Sequence, residues 1–210
     1  GFHDATPATK HHRRTRTRSK TVQGGPWIPD PAGQDLNLQI CQVELTDPTW
    51  QAKHWRTLQQ NYGKCPHFER YRQYFEMIYL GKTWTSLSDL NQSMIKHIAR
   101  EFLGLTAEFC DSRSYNAEGQ KLDRLMDVVR KAGATSYLSG PAARAYIVPE
   151  RFEELGVELL FKDYAGYPEY TQCHQPFEHA GSIVDLLVNV GPDAPWYIWG
   201  WRQGGECPAP

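Results

Sequence analysis

The chain has 210 residues, of which 40% are hydrophobic and 22% are charged, and its formal net charge is −1. This length allows one substantial domain or two small ones, and this composition is typical of ordinary soluble globular proteins. A net charge so close to zero argues against nucleic acid as the main partner of the whole chain. The longest apolar runs are far too short to span a bilayer, so we expect no membrane insertion.

The five cysteines are odd in number and widely spaced, without a CxxC pair or a Cys/His cluster at zinc spacing. This pattern argues against a disulfide framework and against a structural metal. It therefore favours a reducing cytoplasm as the location of the protein. The chain begins without Met and without a signal peptide, as a fragment or a processed chain would.

The first 30 residues are predicted to form a basic, irregular segment. Residues 10–20 contain many cationic side chains and show no apolar periodicity. The candidate ligand-binding residues of this run are Lys10, Arg14, Arg16 and Arg18. Three interpretations are open. The run can be a disordered basic arm, which is the usual meaning of such a run, or a nucleic-acid arm that lacks interleaved aromatics. It can also be a segment that binds an anion across an active site.

The next part of the chain is predicted to form a short strand region and then a layer of helices. Alternating apolar residues over 35–45 predict one bulged strand or two short strands. Apolar faces at helical spacing predict three packed helices, over about 47–61, 67–80 and 87–103. His54 and His97 lie on or beside these faces, so we interpret both as buried, hydrogen-bonded structural residues.

Strands and helices alternate regularly after this layer. The predicted strands cover residues 106–110, 134–138 and 157–164. The predicted helices between them cover 120–132 and 141–155, and the second is either continuous or broken near Pro149. This βαβαβ order predicts an α/β fold with a partly parallel sheet and right-handed crossovers. We expect a single α/β domain over residues 31–200 and a disordered tail over 201–210.

The turn Ser139-Gly140-Pro141 joins the second predicted strand to the following helix. In open α/β sheets, free N–H groups and the positive end of the helix dipole point into a crevice at this position. Candidate substrate-binding residues here are Ser139, Gly140, Arg144 and Tyr146. The alternative is that the turn is only structural, since most such turns bind nothing.

A long polar and aromatic loop covers residues 166–177, and loops of this length inside a compact domain are often functional. Four residues at or after the last strand are within reach of a cleft at the carboxyl edge of the sheet: Asp163, Tyr170, His174 and Glu178. His174 or Glu178 is the first candidate for a general base, and Asp163 is a third candidate catalytic residue. Each of them, taken alone, can equally be structural or simply solvated.

Three blocks of the chain have distinctive sequences. The first reads Gly119-Gln-Lys-Leu-Asp-Arg-Leu125, followed by Lys131-Ala-Gly-Ala-Thr-Ser-Tyr-Leu-Ser-Gly-Pro-Ala-Ala-Arg-Ala-Tyr146. The second reads Phe177-Glu178, Ser182-Ile-Val-Asp-Leu-Leu187 and Asn189-Val-Gly-Pro192. The third consists of Trp50, Lys53-His54, Tyr62-Gly-Lys64, Pro66 and Phe68. Together the blocks resemble the WbqC-like family of bacterial proteins over most of residues 40–195.

The resemblance extends to the basic run, with departures. The family typically has Thr-Lys-Arg-x-Trp, then Asn-Arg-Asn-Arg-Ile-Lys-Thr, and the cationic positions of this chain keep that spacing. Arg13 stands where the Trp is expected. The match favours the anion-binding interpretation of the run. The family's usual opening strand and turn, Met-Gln-Pro-x-Tyr-x-Pro-x-x-Gly-Tyr-Phe, is not found, so we expect a first strand, its turn and its helix to be missing.

The resemblance implies an enzyme of polysaccharide (O-antigen-type, lipopolysaccharide) or specialised-metabolite biosynthesis. The favoured activity is that of a transferase or ligase, with acyl or aminoacyl transfer to an amino sugar. The implied partners are a small-molecule or nucleotide-sugar substrate and a nucleotide or acyl donor. Lys121 matches the lysine of the family pattern in the first block, and it is a further candidate substrate-binding residue. Two alternatives are a non-catalytic binding or assembly protein of the same pathway and, less favoured, a basic-arm nucleic-acid binder.

Overall fold

The computed structural model describes residues 16–18, 27–29 and 39–204. These residues belong to two compact units, each with its own hydrophobic core. The α/β unit covers Glu108–Gly166, and the helical unit contains the other described residues. The prediction of a single domain over 31–200 stays a prediction.

The regular elements of the described residues are numbered in chain order. The strands are β1 (Arg16–Arg18), β2 (Trp27–Pro29), β3 (Ser136–Ser139) and β4 (Glu158–Phe161). The α-helices are α1 (Trp50–Tyr62), α2 (Phe68–Glu76), α3 (Leu87–His97), α4 (Lys121–Lys131), α5 (Glu150–Glu154), α6 (Ile183–Val190) and α7 (Ala194–Ile198). Within these described parts, every helix is too short or too polar to traverse a lipid bilayer.

The helical unit confirms the predicted helical layer. Its helices α2 and α3 each continue into a π-helical turn, Met77–Gly81 and Ile98–Phe102. Ser86 caps α3, because its hydroxyl oxygen accepts a hydrogen bond from the Asp89 N–H at 3.2 Å. The apolar sides of α1, α2, α3 and α6 pack together and form a core rich in aromatic rings. They can do so because apolar and aromatic residues recur at helical spacing in the sequence.

Two histidines lie among the aromatic rings of this unit. His54 is buried, as predicted, and its ring meets Trp50 and Tyr79 edge to face. His97 is half-buried, and its ring stacks on Tyr74 with 4.0 Å between the ring centroids. Both rings therefore contribute to packing within the core region.

A short antiparallel pair lies in the segment that the sequence predicts to be irregular. Strand β1 pairs with β2, with Arg16 opposite Pro29 and Arg18 opposite Trp27. Two of the predicted cationic residues, Arg16 and Arg18, therefore stand in a strand. The other two, Lys10 and Arg14, lie outside the described residues.

The α/β unit confirms the predicted fold class, with a smaller sheet than the pattern suggests. Strands β3 and β4 are parallel, with Ser136 opposite Glu158 and Ser139 opposite Phe161. Helix α4 precedes β3, and α5 lies between the two strands. The core between helices and sheet consists of Met126, Val129, Ala143, Ile147, Phe152 and Val157.

Two elements of the predicted βαβαβ region differ from the sequence-based prediction. Residues 106–110 lie in neither a helix nor a strand, because alternation alone supplies no partner strand. The helix expected over 141–155 breaks near Pro149, as its sequence allows, but its first part is a 3₁₀-helix, Pro141–Ala145, and only the short α5 is α-helical. Pro149 explains the break, since proline lacks an N–H and disfavours the helical conformation of the residue before it.

Cys65 and Cys173 form a disulfide, a single pair that the sequence analysis, which argued only against a disulfide framework, did not identify. Their Cα atoms are 5.8 Å apart although 108 residues separate them in sequence. Spacing along the chain could not reveal this pair, because tertiary packing creates it. The His67 N–H donates a 2.9 Å hydrogen bond to the Val188 carbonyl, which fastens the turn after α1 to α6.

Candidate functional site

The carboxyl ends of β3 and β4 lie side by side because the strands are parallel and paired in register. The Lys162 N–H donates a 2.8 Å hydrogen bond to the Ser139 carbonyl and extends the pairing beyond β4. Gly140 directly follows β3, and Asp163 follows β4 after one residue. The structure therefore brings three predicted site residues, Ser139, Gly140 and Asp163, to one edge of the sheet.

Arg144 stands at the same edge. The central carbon of its guanidinium lies 4.0 Å from the centroid of the Phe161 ring, at the end of β4. This cation–π contact orients the side chain, which is exposed to solvent. The Phe161 ring contacts one face of the guanidinium, whereas the N–H groups lie in the plane of the guanidinium. These N–H groups are the ones that donate hydrogen bonds to a carboxylate or phosphate. Arg144 is thus the cation best positioned at this edge to bind an anion.

The turn after β3 opens the 3₁₀-helix of five residues and not the long helix that the sequence predicts. A helix dipole therefore contributes little at Gly140, and the side chains must provide most of the attraction for an anion. Tyr146 follows this short helix and is 65% exposed. Its predicted role in substrate binding stays a prediction.

Lys121 begins α4 with a φ angle of +49°. This left-handed conformation is uncommon for residues other than glycine, and strained positions of this kind cluster at functional sites. Helix α4 is joined to β3 by a short turn at Gly133, and its Leu122 packs against the hydrophobic core of the unit. Its N-terminus therefore lies toward the carboxyl end of β3, on the side of the predicted ligand.

A buried polar cluster lies in the helical unit, around Asp185 of α6. The side chain of Asp185 is 1% exposed. Its Oδ2 atom accepts a hydrogen bond from the Tyr170 hydroxyl at 2.7 Å and another from the Gln172 amide at 2.7 Å. Burial, and then the charge of Asp185, raises the pKa of Tyr170 far above its ordinary value. Tyr170 therefore remains a hydrogen-bond donor at all physiological pH values.

Gln172 joins this cluster to the loop that carries Glu178. Its amide donates to the Glu178 carbonyl at 3.1 Å, and its side-chain oxygen accepts from the Glu178 N–H at 2.9 Å. The Glu178 carboxylate accepts a 3.0 Å hydrogen bond from the Ala180 N–H. These contacts fix the backbone of Glu178, one of the candidate general bases.

His174 is half-buried, and its Nε2 atom is 2.7 Å from the carbonyl oxygen of Asn61. Because a carbonyl can only accept, Nε2 must carry the proton in this contact. A neutral imidazole then has its basic lone pair on Nδ1. His174 thus has a defined orientation and one basic nitrogen, which is what a general base requires.

The WbqC-like protein family model matches residues 2–197, which is nearly the whole chain. The chain belongs to the WbqC-like family. It is 36% identical over 204 residues to "Uncharacterized protein Rv1507c" of Mycobacterium tuberculosis (strain ATCC 25618 / H37Rv), and the match covers 96% of this chain and 88% of that protein. No solved structure matches. The resemblance identified from the three sequence blocks is therefore confirmed.

The sequence analysis of this WbqC-like chain did not select Gln172, Asp185 and Asn189 as site residues. Asn189 donates to the Asp185 carbonyl at 2.7 Å and accepts from the Cys173 N–H at 2.9 Å. A signal for two of them is present, because Asp185 and Asn189 are polar residues one turn apart in an otherwise apolar helix. Buried polar groups of this kind require partners, which predicts a network.

The predicted site residues of the WbqC-like chain thus belong to both units. Ser139, Gly140, Arg144 and Asp163 share one sheet edge, with Lys121 at the same end of the α/β unit. Tyr170, His174 and Glu178 belong to the helical unit. Among the described residues, no group of three or more His, Cys, Asp or Glu residues could hold a metal ion.

Proposed function

We propose that this WbqC-like protein is a cytoplasmic transferase or ligase that acts on a sugar or small metabolite. The observation that supports it best is the convergence of Ser139, Gly140, Arg144 and Asp163 at the carboxyl edge of β3 and β4. Ligands of open parallel sheets bind at this edge, outside the carboxyl ends of the strands. Cationic and hydroxyl groups at such an edge suit a phosphorylated or carboxylated ligand.

The substrate class follows from the charge of these residues and from the family resemblance. A nucleotide-linked sugar and an acyl donor with a nucleotide part both carry phosphate groups, which an arginine binds bidentately. Arg144 has this role in the proposal, and Lys121 adds a second positive charge. The resemblance adds the pathway, which is polysaccharide biosynthesis of the O-antigen and lipopolysaccharide type or specialised-metabolite biosynthesis.

The proposed reaction is acyl or aminoacyl transfer to the amine of an amino sugar. The amine nitrogen attacks the carbonyl carbon of the activated donor and forms an amide bond. The bond from that carbon to the leaving group breaks, and the leaving group takes its electron pair. The proton lost by the nitrogen goes to a general base and then to the leaving group. Asp163 is the candidate base for a ligand at the sheet edge, whereas His174 and Glu178 are the candidate bases of a site within the helical unit.

A turnover assay tests this proposal. The purified chain is incubated with nucleotide-linked amino sugars and either acyl-CoA or ATP, magnesium and a carboxylic acid, and products are identified by mass spectrometry. We expect one donor class to yield an acylated sugar, and kcat/KM to fall at least about tenfold in Arg144→Ala. Ligand binding without product would favour a non-catalytic binding protein instead, and would contradict the enzyme proposal.

A further inference from the structure

The disulfide between Cys65 and Cys173 connects two different parts of the helical unit. Cys65 lies in the turn between α1 and α2, where its N–H donates to the Tyr62 carbonyl at 2.9 Å. Cys173 lies in the loop after the α/β unit, where its N–H donates to the Asn189 side chain. The bond therefore fastens a loop that carries candidate site residues to the helical core.

The two sulfur-bearing residues differ sharply in accessibility. Cys65 is 6% exposed and belongs to the hydrophobic core. Cys173 is exposed to solvent. Thiol–disulfide exchange depends on which sulfur an incoming thiolate can reach. We therefore expect the attack at Cys173, the more exposed of the two residues, with Cys65 as the leaving group.

Both neighbours of Cys173 in the chain belong to the candidate site. On one side, Gln172 donates to the buried carboxylate of Asp185. On the other side, His174 donates through Nε2 to the Asn61 carbonyl. A change in the position of Cys173 must move the backbone that orients both side chains. Cys173 therefore lies between two residues whose side chains are oriented by hydrogen bonds.

We propose that Cys65–Cys173 is a thiol–disulfide exchange site that a dithiol reductant opens, and that it controls the order of the loop carrying Gln172 and His174. This inference goes beyond the proposed enzymatic function and does not depend on it. The oxidised form holds the loop against the helical core. The reduced form, which any reducing compartment favours, releases it.

The exchange proceeds in two balanced steps. A thiolate of the reductant attacks the Cys173 sulfur, a mixed disulfide forms, and the bond to Cys65 breaks. Cys65 leaves as a thiolate and takes up a proton. The second thiolate of the reductant then attacks the first reductant sulfur, which is bonded to Cys173 in the mixed disulfide. That bond breaks, and Cys173 leaves as a thiolate and is protonated. Two electrons pass from the dithiol to the protein, and the reductant becomes a disulfide.

Trapping with glutathione tests the accessibility argument. The full chain with Cys41→Ser, Cys110→Ser and Cys207→Ser retains only the proposed pair. It is incubated with mixtures of reduced and oxidised glutathione, quenched with acid, alkylated and mapped by mass spectrometry. We expect the glutathione adduct on Cys173 to exceed that on Cys65 at least about tenfold, because only Cys173 is accessible. Equal amounts of glutathione adduct on Cys65 and Cys173 would overturn the proposal. So would the absence of a Cys65–Cys173 disulfide at every ratio of reduced to oxidised glutathione.

Hydrogen exchange tests the link to the loop in the same background variant. Dithiothreitol should accelerate exchange of the Cys173 amide at least about tenfold, because its hydrogen bond to Asn189 opens when the loop is released. The Lys162 amide, which bonds to Ser139 in the α/β unit, is the control and should not change. An unchanged Cys173 amide would refute control of the loop. The experiment compares the oxidised and reduced forms of one background chain, so it needs no substitution of Cys65 or Cys173 that could impair folding.

Discussion

The Tyr170 hydroxyl donates a 2.7 Å hydrogen bond to the Asp185 carboxylate inside the helical unit. A carboxylate buried to this degree requires donors, since burying an unpaired charge costs far more than one hydrogen bond contributes. Gln172 provides a second donor to the same oxygen. The loop that carries Tyr170 and Gln172 is therefore fastened to α6 through one acidic side chain.

Removing the Tyr170 hydroxyl should destabilise the helical unit. We expect Tyr170→Phe to lower the free energy of unfolding by about 1–3 kcal/mol, because the buried Asp185 carboxylate loses one of its hydrogen-bond donors. Urea denaturation followed by tryptophan fluorescence measures the difference. An unchanged midpoint and slope would mean that the hydrogen bond contributes nothing to folding.

The same substitution at Tyr74 should have the opposite effect. The Tyr74 hydroxyl is buried and has no hydrogen-bond partner in the part of the chain that the structure describes. Tyr74→Phe removes this unsatisfied group and keeps the ring stacked on His97, so we expect a gain of up to about 1 kcal/mol in the free energy of unfolding. A clear loss of stability in the urea experiment would show that the hydroxyl has a partner.

Titration of Tyr74 adds a pH dependence to this comparison. Burial raises the pKa of Tyr74 to about 12, whereas an unfolded tyrosine has a pKa of about 10. The folded state therefore favours the protonated phenol of Tyr74 more than the unfolded state does. The stability linked to this protonation is fully present below about pH 10 and is lost as the pH rises toward about 12. Tyr74→Phe should remove that part of the alkaline loss, which thermal melts between these pH values can measure.

Asp127 should make the α/β unit sensitive to acid. Hydrogen bonds from the Lys131 side chain, the Glu118 N–H and Arg130 lower the pKa of Asp127 well below its ordinary value. The stability from this group is present above about pH 4, the pKa range of an unfolded Asp, and is lost as the pH falls further. Asp127→Asn should be less stable at pH 7, and its difference from the native chain should shrink below about pH 4. A difference that is constant from pH 7 to pH 2 in thermal melts would contradict this role.

Phe152 is the residue on which the core of the α/β unit depends most. It is fully buried, and its ring stacks on Tyr137 with 5.4 Å between centroids. Phe152→Ala should cost about 3–5 kcal/mol, through lost burial and the cavity that remains. Urea denaturation measures this cost, and faster amide exchange within 108–166 assigns it to this unit. The matched control is Tyr164→Ala, because Tyr164 is 62% exposed and its loss should change stability by no more than about 0.5 kcal/mol. Equal effects of the two substitutions would contradict the assigned core.

Much of the helical architecture could be predicted from local sequence, because apolar spacing and capping residues act within a few turns. Helices α1, α3 and α4 begin within a few residues of the predicted positions, and Gly133 follows the end of α4 with a positive φ, which is typical of a helix C-terminus. The α/β class was predictable for the same reason, since the alternation of strand and helix patterns covers residues 120–164. The family resemblance followed from short, distinctive blocks.

The remaining features depend on contacts between residues far apart in the chain. The Cys65–Cys173 disulfide and the Asn61–His174 hydrogen bond join residues more than 100 positions apart, so no local pattern encodes them. Residues 106–110 alternate like a strand but have no strand partner in the described chain. The candidate sheet edge was predictable because strand polarity places Ser139 and Asp163 together, whereas the Asp185 network required the packed structure.

Equilibrium binding of a nucleotide-linked amino sugar tests the central claim, that the carboxyl edge of β3 and β4 holds an anionic ligand. Isothermal titration calorimetry would compare the native chain with Arg144→Ala and with Arg130→Ala. Arg130 is the matched control because it lies in the last turn of α4, away from the carboxyl edge of the sheet. We expect Arg144→Ala to raise the Kd at least about tenfold, or about 1.4 kcal/mol, because a charge-assisted hydrogen bond is lost, while Arg130→Ala leaves the Kd unchanged. Equal Kd values for the native chain and both variants would contradict the assigned site.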